Sequence, residues 1–296
     1  KGISNPDMNK FLQIASSNFD ALFSSNNIRK IELLLLRIAV FAFVVHLSVI
    51  FVSNHLNNYE YSYLKAIYTP FSFILFYEVF LLVIIIPSSI SEFIGKQFEV
   101  ITLITLRSFF HDIADFNVEE VISFRTPAFI SLIFDLGASL VMLGLTIVYY
   151  KIYNINYKTD SIKELNKFIN IKKVVSLCMI LVLSILSIIS LSNWSMDMIA
   201  ALKMNSNYPN PNTVFYEDFF SIMIFVDVLL LIISFTFHSS FFIIFRNASF
   251  IITTILLRIS LTIEKPMNYI IIIIGFLFAI ITYLLYKFRY NNLKKV

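Results

Sequence analysis

The sequence predicts an all-α polytopic membrane protein of eight transmembrane helices, built as two tandem four-helix bundles in parallel orientation with both termini cytoplasmic. Of its 296 residues, 58% are hydrophobic and 14% are charged, whereas a typical soluble domain carries about 25% charged residues. Several apolar runs reach about 20 residues, the length of a helix that spans a bilayer. A heptapeptide also recurs nearly unchanged in each half, as ITLITLR at 101–107 and ITTILLR at 252–258.

The eight predicted spans differ in strength. The clear apolar runs cover 31–53, 66–88, 127–152, 171–193, 217–238 and 268–288. Two weaker runs, 97–114 and 247–264, contain the two heptapeptides. Basic residues favour eight spans over six, because Lys and Arg concentrate on the cytoplasmic side of membrane proteins. With eight spans, the lysine-rich segment 151–173 shares its side with both basic termini, whereas six spans would place it opposite them.

Five regions follow from this reading. Residues 1–30 are predicted to be a cytoplasmic amphipathic segment and 31–153 the first four-helix bundle. Residues 154–170 are a basic cytoplasmic linker, 171–290 the second four-helix bundle and 291–296 a basic cytoplasmic tail. Since four spans is an even number, the second bundle repeats the first in the same orientation. The apolar residues of 8–24 share one helical face, which suits a helix on the inner leaflet or one that binds a partner.

Each half carries one acidic residue and one arginine within its second and third spans. Glu78 and Arg107 in the first half correspond to Asp227 and Arg258 in the second. Hairpin turns centred at 92–93 and 242–243 place all four residues roughly 15 Å from the cytoplasmic border. An unpaired charge at the bilayer centre costs about 2.5–3.5 kcal/mol on insertion scales. We therefore expect one acid–arginine pair in each half.

Only the first half adds further titratable groups at a similar depth. These are His46 on the first span and Asp135 on the fourth. Acidic and histidine side chains inside a membrane often mark ion or proton pathways. We therefore predict a transport cluster of His46, Glu78, Arg107 and Asp135, and a structural ion pair of Asp227 with Arg258. A purely structural role for Glu78 and Arg107, in fixing helix register, stays open at this point.

The expected function is that of a channel or transporter that moves protons or small cations through the first bundle. The alternative is a non-catalytic integral subunit of a larger membrane complex, such as a secretion, respiratory or defence assembly. The turn that carries Glu92, Lys96 and Glu99 is a candidate cytoplasmic mouth.

Motifs of enzymes and cofactor sites are missing from the sequence. We find no HExxH, no GxSxG and no phosphate-binding glycine loop, so no enzyme activity, catalytic residue, cofactor or metal site is predicted. The expected partners are the lipid bilayer and either further copies of this chain or other membrane subunits, without nucleic acid. The expected location is the bacterial inner (plasma) membrane.

Overall fold

Every element in the described part of the chain is a helix. The computed structural model describes residues 6–56, 63–114, 127–153, 162–204, 215–237 and 240–293. Its α-helices are α1 (Pro6–Leu22), α2 (Ser25–Leu56), α3 (Tyr68–Ile84), α4 (Ile90–Ala114), α5 (Pro127–Tyr153), α6 (Ile162–Met204), α7 (Phe215–Phe237), α8 (Phe241–Ser260) and α9 (Met267–Leu293). A short 3-10 helix, Tyr63–Ile67, precedes α3.

Six of these helices are long and apolar enough to cross a membrane, namely α2 and α5 to α9. The α3 helix is apolar but shorter. The α4 helix has sufficient length, yet its charged residues lower its hydropathy. A helix is suited to a bilayer because it satisfies its own backbone hydrogen bonds. The predicted all-α class is therefore confirmed for the described residues, and the six apolar helices are compatible with an integral membrane protein. The eight-span count and the side of the termini stay predictions.

The regions between the two halves differ in part from the expected boundaries. The α6 helix begins at Ile162, so the second part of the predicted linker 154–170 is helical. Residues 154–161 of that linker, 1–5 of the first region and 294–296 of the tail lie outside the described residues. With 43 residues, α6 is about 65 Å long at 1.5 Å per residue. It therefore extends well beyond a hydrocarbon core of about 30 Å.

The two halves share their hydrophobic cores. Within each half, successive helices pack against one another, and the halves meet where α3 packs on α6, α4 on α8 and α5 on α9. The rings of Phe98 and Phe276 stack with centres 3.7 Å apart across this boundary. A second core joins Val83 of α3 to Met179 of α6 and Met223 of α7. Both cores contain residues from both halves, so the two halves are not separated by their hydrophobic cores. The division into two tandem bundles stays a prediction.

The amphipathic α1 helix packs along α6. Its Phe19 is buried, and Lys173 of α6 donates hydrogen bonds to Ser16 at 3.1 Å and to Asp20 at 2.6 Å. Ile14 and Leu22 of α1 remain exposed. Part of the apolar face predicted for 8–24 is therefore covered by the protein itself.

The turn between α3 and α4 lies earlier than the sequence analysis predicted. The α3 helix ends at Ile84 and α4 begins at Ile90, so the predicted turn centre at 92–93 is wrong. The hydroxyl of Ser89 accepts a hydrogen bond from the backbone N–H of Glu92 at 3.2 Å, which is the contact of a helix N-cap. This earlier start places Glu78 and Arg107 roughly 16 Å apart along the helix axes.

The hairpin of α7 and α8 also turns earlier than predicted, between Phe237 and Phe241 rather than at 242–243. The offset along the axis between Asp227 and Arg258 is then only about 10 Å. Side chains on a helix point back toward its N-terminus, so the Arg258 guanidinium reaches toward Asp227. The register of the second hairpin therefore allows Asp227 and Arg258 to pair, whereas the register of the first hairpin separates Glu78 from Arg107.

Candidate functional site

A cavity lies between α2, α3 and α4. Its volume is about 330 Å³, and each of these helices contributes one carboxylate to its wall, namely Glu32, Glu78 and Glu99. Lys96 is its basic residue, and the remaining walls are Leu, Ile, Phe, Tyr and Val side chains. We call this cavity, with its three glutamates and Lys96, the acidic groove.

Glu78 is the most deeply placed carboxylate of the acidic groove, with 5% of its surface exposed. The charges of Arg107 and Lys96 act on it. Among the described residues, however, no ion pair joins Glu78 to Arg107, because the helix register separates them. The predicted first-half ion pair is therefore absent, and Glu78 faces a cavity with its counter-charges at longer range.

Glu99, which also lines the acidic groove, is held in place by two neighbours. Lys96 forms an ion pair with Glu99 one turn along α4. The hydroxyl of Tyr150 on α5 donates a hydrogen bond to Glu99 Oε1 at 2.6 Å. Gly95 leaves the room for this tyrosine, since a Cβ at that position would lie 2.9 Å from the Tyr150 hydroxyl oxygen.

Replacing Gly95 by alanine is therefore expected to displace the Tyr150 ring and to break its hydrogen bond to Glu99. Overpacking of this kind costs about 1–3 kcal/mol. Denaturant unfolding of the purified protein in micelles measures the change. The control is Gly144→Ala, where a Cβ meets nothing within 4 Å and the higher helix propensity of alanine favours the folded state by up to about 1 kcal/mol. Equal effects at the two glycines would contradict this account of Gly95.

Asp135 belongs to a different cluster, which joins the two halves. Its side chain is fully buried and accepts hydrogen bonds from Lys265 at 2.9 Å and from the Tyr269 hydroxyl. Lys265 also donates to Asp112 at 3.0 Å, and Ser131 donates to Asp112 at 2.7 Å. We call these five residues the Lys265 cluster. Lys265 lies between the two carboxylates and offsets their negative charge.

Replacing Lys265 by methionine is expected to destabilise the protein by about 1–3 kcal/mol, since it leaves the buried Asp135 carboxylate without its cation. The lysine side chain is 31% exposed, which keeps the effect below that of a fully buried pair. The double variant Lys265→Met/Asp135→Asn is expected to recover part of the loss. The exposed Lys151, changed to methionine, is the control, and unfolding midpoints provide the comparison. Strictly additive effects of the two substitutions would contradict the pairing.

Asp227 and Arg258 form an ion pair inside the second half. Both side chains are 1% exposed, and Arg258 Nη1 donates to Asp227 Oδ2. Thr254 donates to the same oxygen at 2.8 Å. Neither side chain lines the acidic groove. The structure thus brings together the two residues that were expected from the sequence to form an ion pair.

The four residues predicted as one transport cluster are divided among separate sites. His46 Nδ1 lies 2.6 Å from the Thr69 hydroxyl oxygen, Glu78 faces the acidic groove, and Asp135 belongs to the Lys265 cluster. Arg107 acts on Glu78 only at a distance. Neither Glu32 nor Lys265 was predicted from the sequence as a site residue. The capping pattern Ser89–Glu92 in the sequence was the available signal for the correct turn.

The comparisons with known proteins add no relative. No protein-family model, no curated protein and no solved structure matches this chain. Among the described residues, no group of three or more His, Cys, Asp or Glu side chains is arranged to hold a metal ion. The function therefore has to be inferred from the residues of the site and their chemistry.

Proposed function

We propose that the protein moves protons or small cations across a membrane, and that Glu78 is the group that takes up the ion. One observation carries this proposal. A cavity of about 330 Å³ is lined by Glu32, Glu78 and Glu99, and Glu78 is a buried carboxylate. Acidic residues inside a membrane are costly, and they usually mark an ion pathway or a proton relay.

The chemistry of the acidic groove suits cations. Three carboxylates and one lysine leave an excess of negative charge, and low-dielectric walls strengthen its attraction for a cation. Glu99 already has Lys96 and Tyr150 as partners. Glu78 has only more distant counter-charges. A proton or a small cation at Glu78 would therefore offset a buried negative charge.

The direction of the acidic groove follows from the eight-span arrangement. In that arrangement the start of α2, the end of α3 and the start of α4 all lie on the cytoplasmic side. The three glutamates are within ten residues of these ends, so the groove lies toward the cytoplasm. Lysine-rich segments on the same side agree with the distribution of basic residues in membrane proteins. A reporter tag within 155–170 that reacts only from outside the cell would contradict this topology.

Reconstitution in proteoliposomes tests the proposed function. A pH-sensitive dye in the lumen follows proton uptake after a membrane potential is imposed, and alkali cations are then tested one at a time. We expect flux of a proton or of one small cation above that of empty liposomes. No flux of any of these ions, with the protein inserted and folded, would rule out the proposal.

A second candidate function is that of a non-catalytic subunit of a larger membrane complex. The α2 helix favours it, because α2 packs mainly on α3 and on the 3-10 helix and leaves most of its apolar surface uncovered by the chain. Phe41, for example, is 71% exposed. If α2 binds other subunits, these are expected to co-purify with the protein in native lipid in a fixed ratio. A chain that purifies alone and conducts ions would exclude this alternative.

A further inference from the structure

The acidic groove is larger than the uptake of a proton or a small cation requires. Its volume of about 330 Å³ lies within the range of about 300–1,000 Å³ that is typical of sites for small organic ligands. Eight of its twelve lining side chains are apolar or aromatic, and four are charged. Sites for organic ligands have the same composition, a mostly apolar wall with a few polar groups that fix the orientation of the ligand.

Glu78 is the carboxylate of the acidic groove that a ligand would meet without displacing another partner. Glu99 is paired with Lys96, and Glu32 interacts with the Tyr77 hydroxyl. Among the described residues, neither a hydrogen bond nor an ion pair reaches the Glu78 carboxylate, although its side chain is only 5% exposed. A buried charge without a close partner is costly, so a cation in the groove would bind most strongly at Glu78.

The acidic groove continues beyond Glu78 into an apolar region. Phe73 lines it five residues before Glu78 on α3, which is about 7 Å farther from the α3–α4 turn. Leu103 lines it four residues after Glu99 on α4, about 6 Å farther in the same direction. A ligand with its cationic group at Glu78 would therefore have the rest of its body among apolar side chains. The phenyl ring of Phe73 adds a group that attracts cations through its π electrons.

One side of the acidic groove is open. The α2 and α4 helices both pack on α3, and neither packs closely on the other in the described part of the chain. Leu36 of α2 and Leu103 of α4, which line the groove, are 43% and 46% exposed. In the proposed membrane arrangement this opening faces the acyl chains, so the groove is accessible to a lipophilic cation from the bilayer.

We propose that the acidic groove binds a lipophilic organic cation, namely one ammonium group with an apolar body. The ammonium lies beside Glu78 and the body extends toward Phe73 and Leu103. This inference rests on the proposed function, because it uses the same groove and names a further class of cation for it. A phospholipid amine has related chemistry, but its phosphate would bring another negative charge beside three carboxylates, which favours the free cation.

Binding of tritiated benzyltrimethylammonium to the full chain in phosphatidylcholine nanodiscs tests the proposal. We expect saturable binding above that of empty nanodiscs. Binding is expected to weaken about tenfold or more in Glu78→Gln, since close charge pairs contribute at least that much. Phe73→Leu stays apolar but lacks the ring, and it is expected to weaken binding by about two- to fivefold. The control Glu92→Gln, at an exposed position outside the groove, is expected to bind like the wild type.

An uncharged competitor separates the contribution of charge from that of shape. Neopentylbenzene has the shape of benzyltrimethylammonium without its charge and is expected to displace it about tenfold less effectively or worse. Equal displacement by the two compounds would overturn the proposal, as would the absence of saturable binding. Unchanged affinity in Glu78→Gln with native helical circular dichroism would overturn it too. Loss of binding when phosphatidylethanolamine replaces phosphatidylcholine would show that a lipid amine occupies the groove, which excludes the free cation.

The binding experiment is separate from ion uptake because no ion gradient is present. Binding by a protein that moves no ions would support this inference and contradict the proposed function. Ion uptake through Glu78 without binding of benzyltrimethylammonium would do the reverse.

Discussion

Replacing Glu78 by glutamine is expected to reduce ion uptake into proteoliposomes by about 100-fold or more, the usual loss when a proton-transferring group is removed. Glutamine keeps the shape of the side chain but can neither carry a negative charge nor exchange a carboxyl proton. Glu78 is 5% exposed and is the deepest carboxylate of the acidic groove, so another glutamate of the groove would not replace it. Initial rates of dye response in wild-type and variant liposomes provide the measurement.

The control for this experiment is Glu92→Gln. Glu92 is an exposed carboxylate on α4 that does not line the acidic groove, so the wild-type rate is expected. Glu78→Asp keeps the carboxyl group at a shorter reach and is expected to retain part of the flux. Undiminished flux in Glu78→Gln, in protein with native helical circular dichroism, would contradict the proposed role of Glu78.

The variant Asp135→Asn separates the groove pathway from the four-residue cluster predicted from the sequence. Asp135 lies in the Lys265 cluster rather than in the acidic groove, so flux is expected to continue in this variant. A complete loss would instead extend the pathway to the Lys265 cluster.

Replacing Asp227 by asparagine is expected to destabilise the protein by about 3–5 kcal/mol, because it leaves the Arg258 guanidinium buried without its counter-charge. Both side chains are 1% exposed, so water contributes little to screening this charge. Denaturant unfolding in mixed micelles, followed by the loss of helical circular dichroism, measures the change. The variant Asp218→Asn, at an exposed position of the same helix, is expected to alter stability by no more than about 0.5 kcal/mol.

The double variant Asp227→Leu/Arg258→Leu tests whether the pair serves stability alone. Replacing a buried ion pair by apolar residues of similar volume is often neutral or stabilising. We expect the double variant to be more stable than Asp227→Asn and to keep the wild-type rate of ion uptake, because neither residue lines the acidic groove. A double variant as unstable as Asp227→Asn would show that the pair contributes more than charge compensation.

The membrane class of the protein was predictable because composition and the length of apolar runs determine it. A helix that is apolar over about 20 residues satisfies its own backbone and is stable in lipid whatever its neighbours are. The six helices with this property all overlap runs identified from the sequence. The partnership of Asp227 with Arg258 was also predictable, since the cost of an isolated charge in the membrane favours a nearby opposite charge.

The arrangement of the polar residues depended on details that hydropathy does not contain. The turn before α4 was placed too late, because Glu92 and Lys96 resemble loop residues in a hydropathy profile although they belong to the first turns of a helix. A shift of a few residues moved Glu78 and Arg107 out of contact. Lys265 follows α8 in the chain and gave no signal of its contacts with Asp112 and Asp135, which arise only where the two halves pack.

The sequence by itself therefore determined an all-helical chain with helices apolar enough to span a membrane and with charged residues in each half, because a bilayer imposes these features on each segment separately. Only the tertiary structure decided the surroundings of Glu78 and the partners of Asp135. It placed Glu78 in a groove and Asp135 beside Lys265. The physical reason is that hairpin register and packing between the halves set these distances, and an ion pair or a hydrogen bond is lost within a few ångströms.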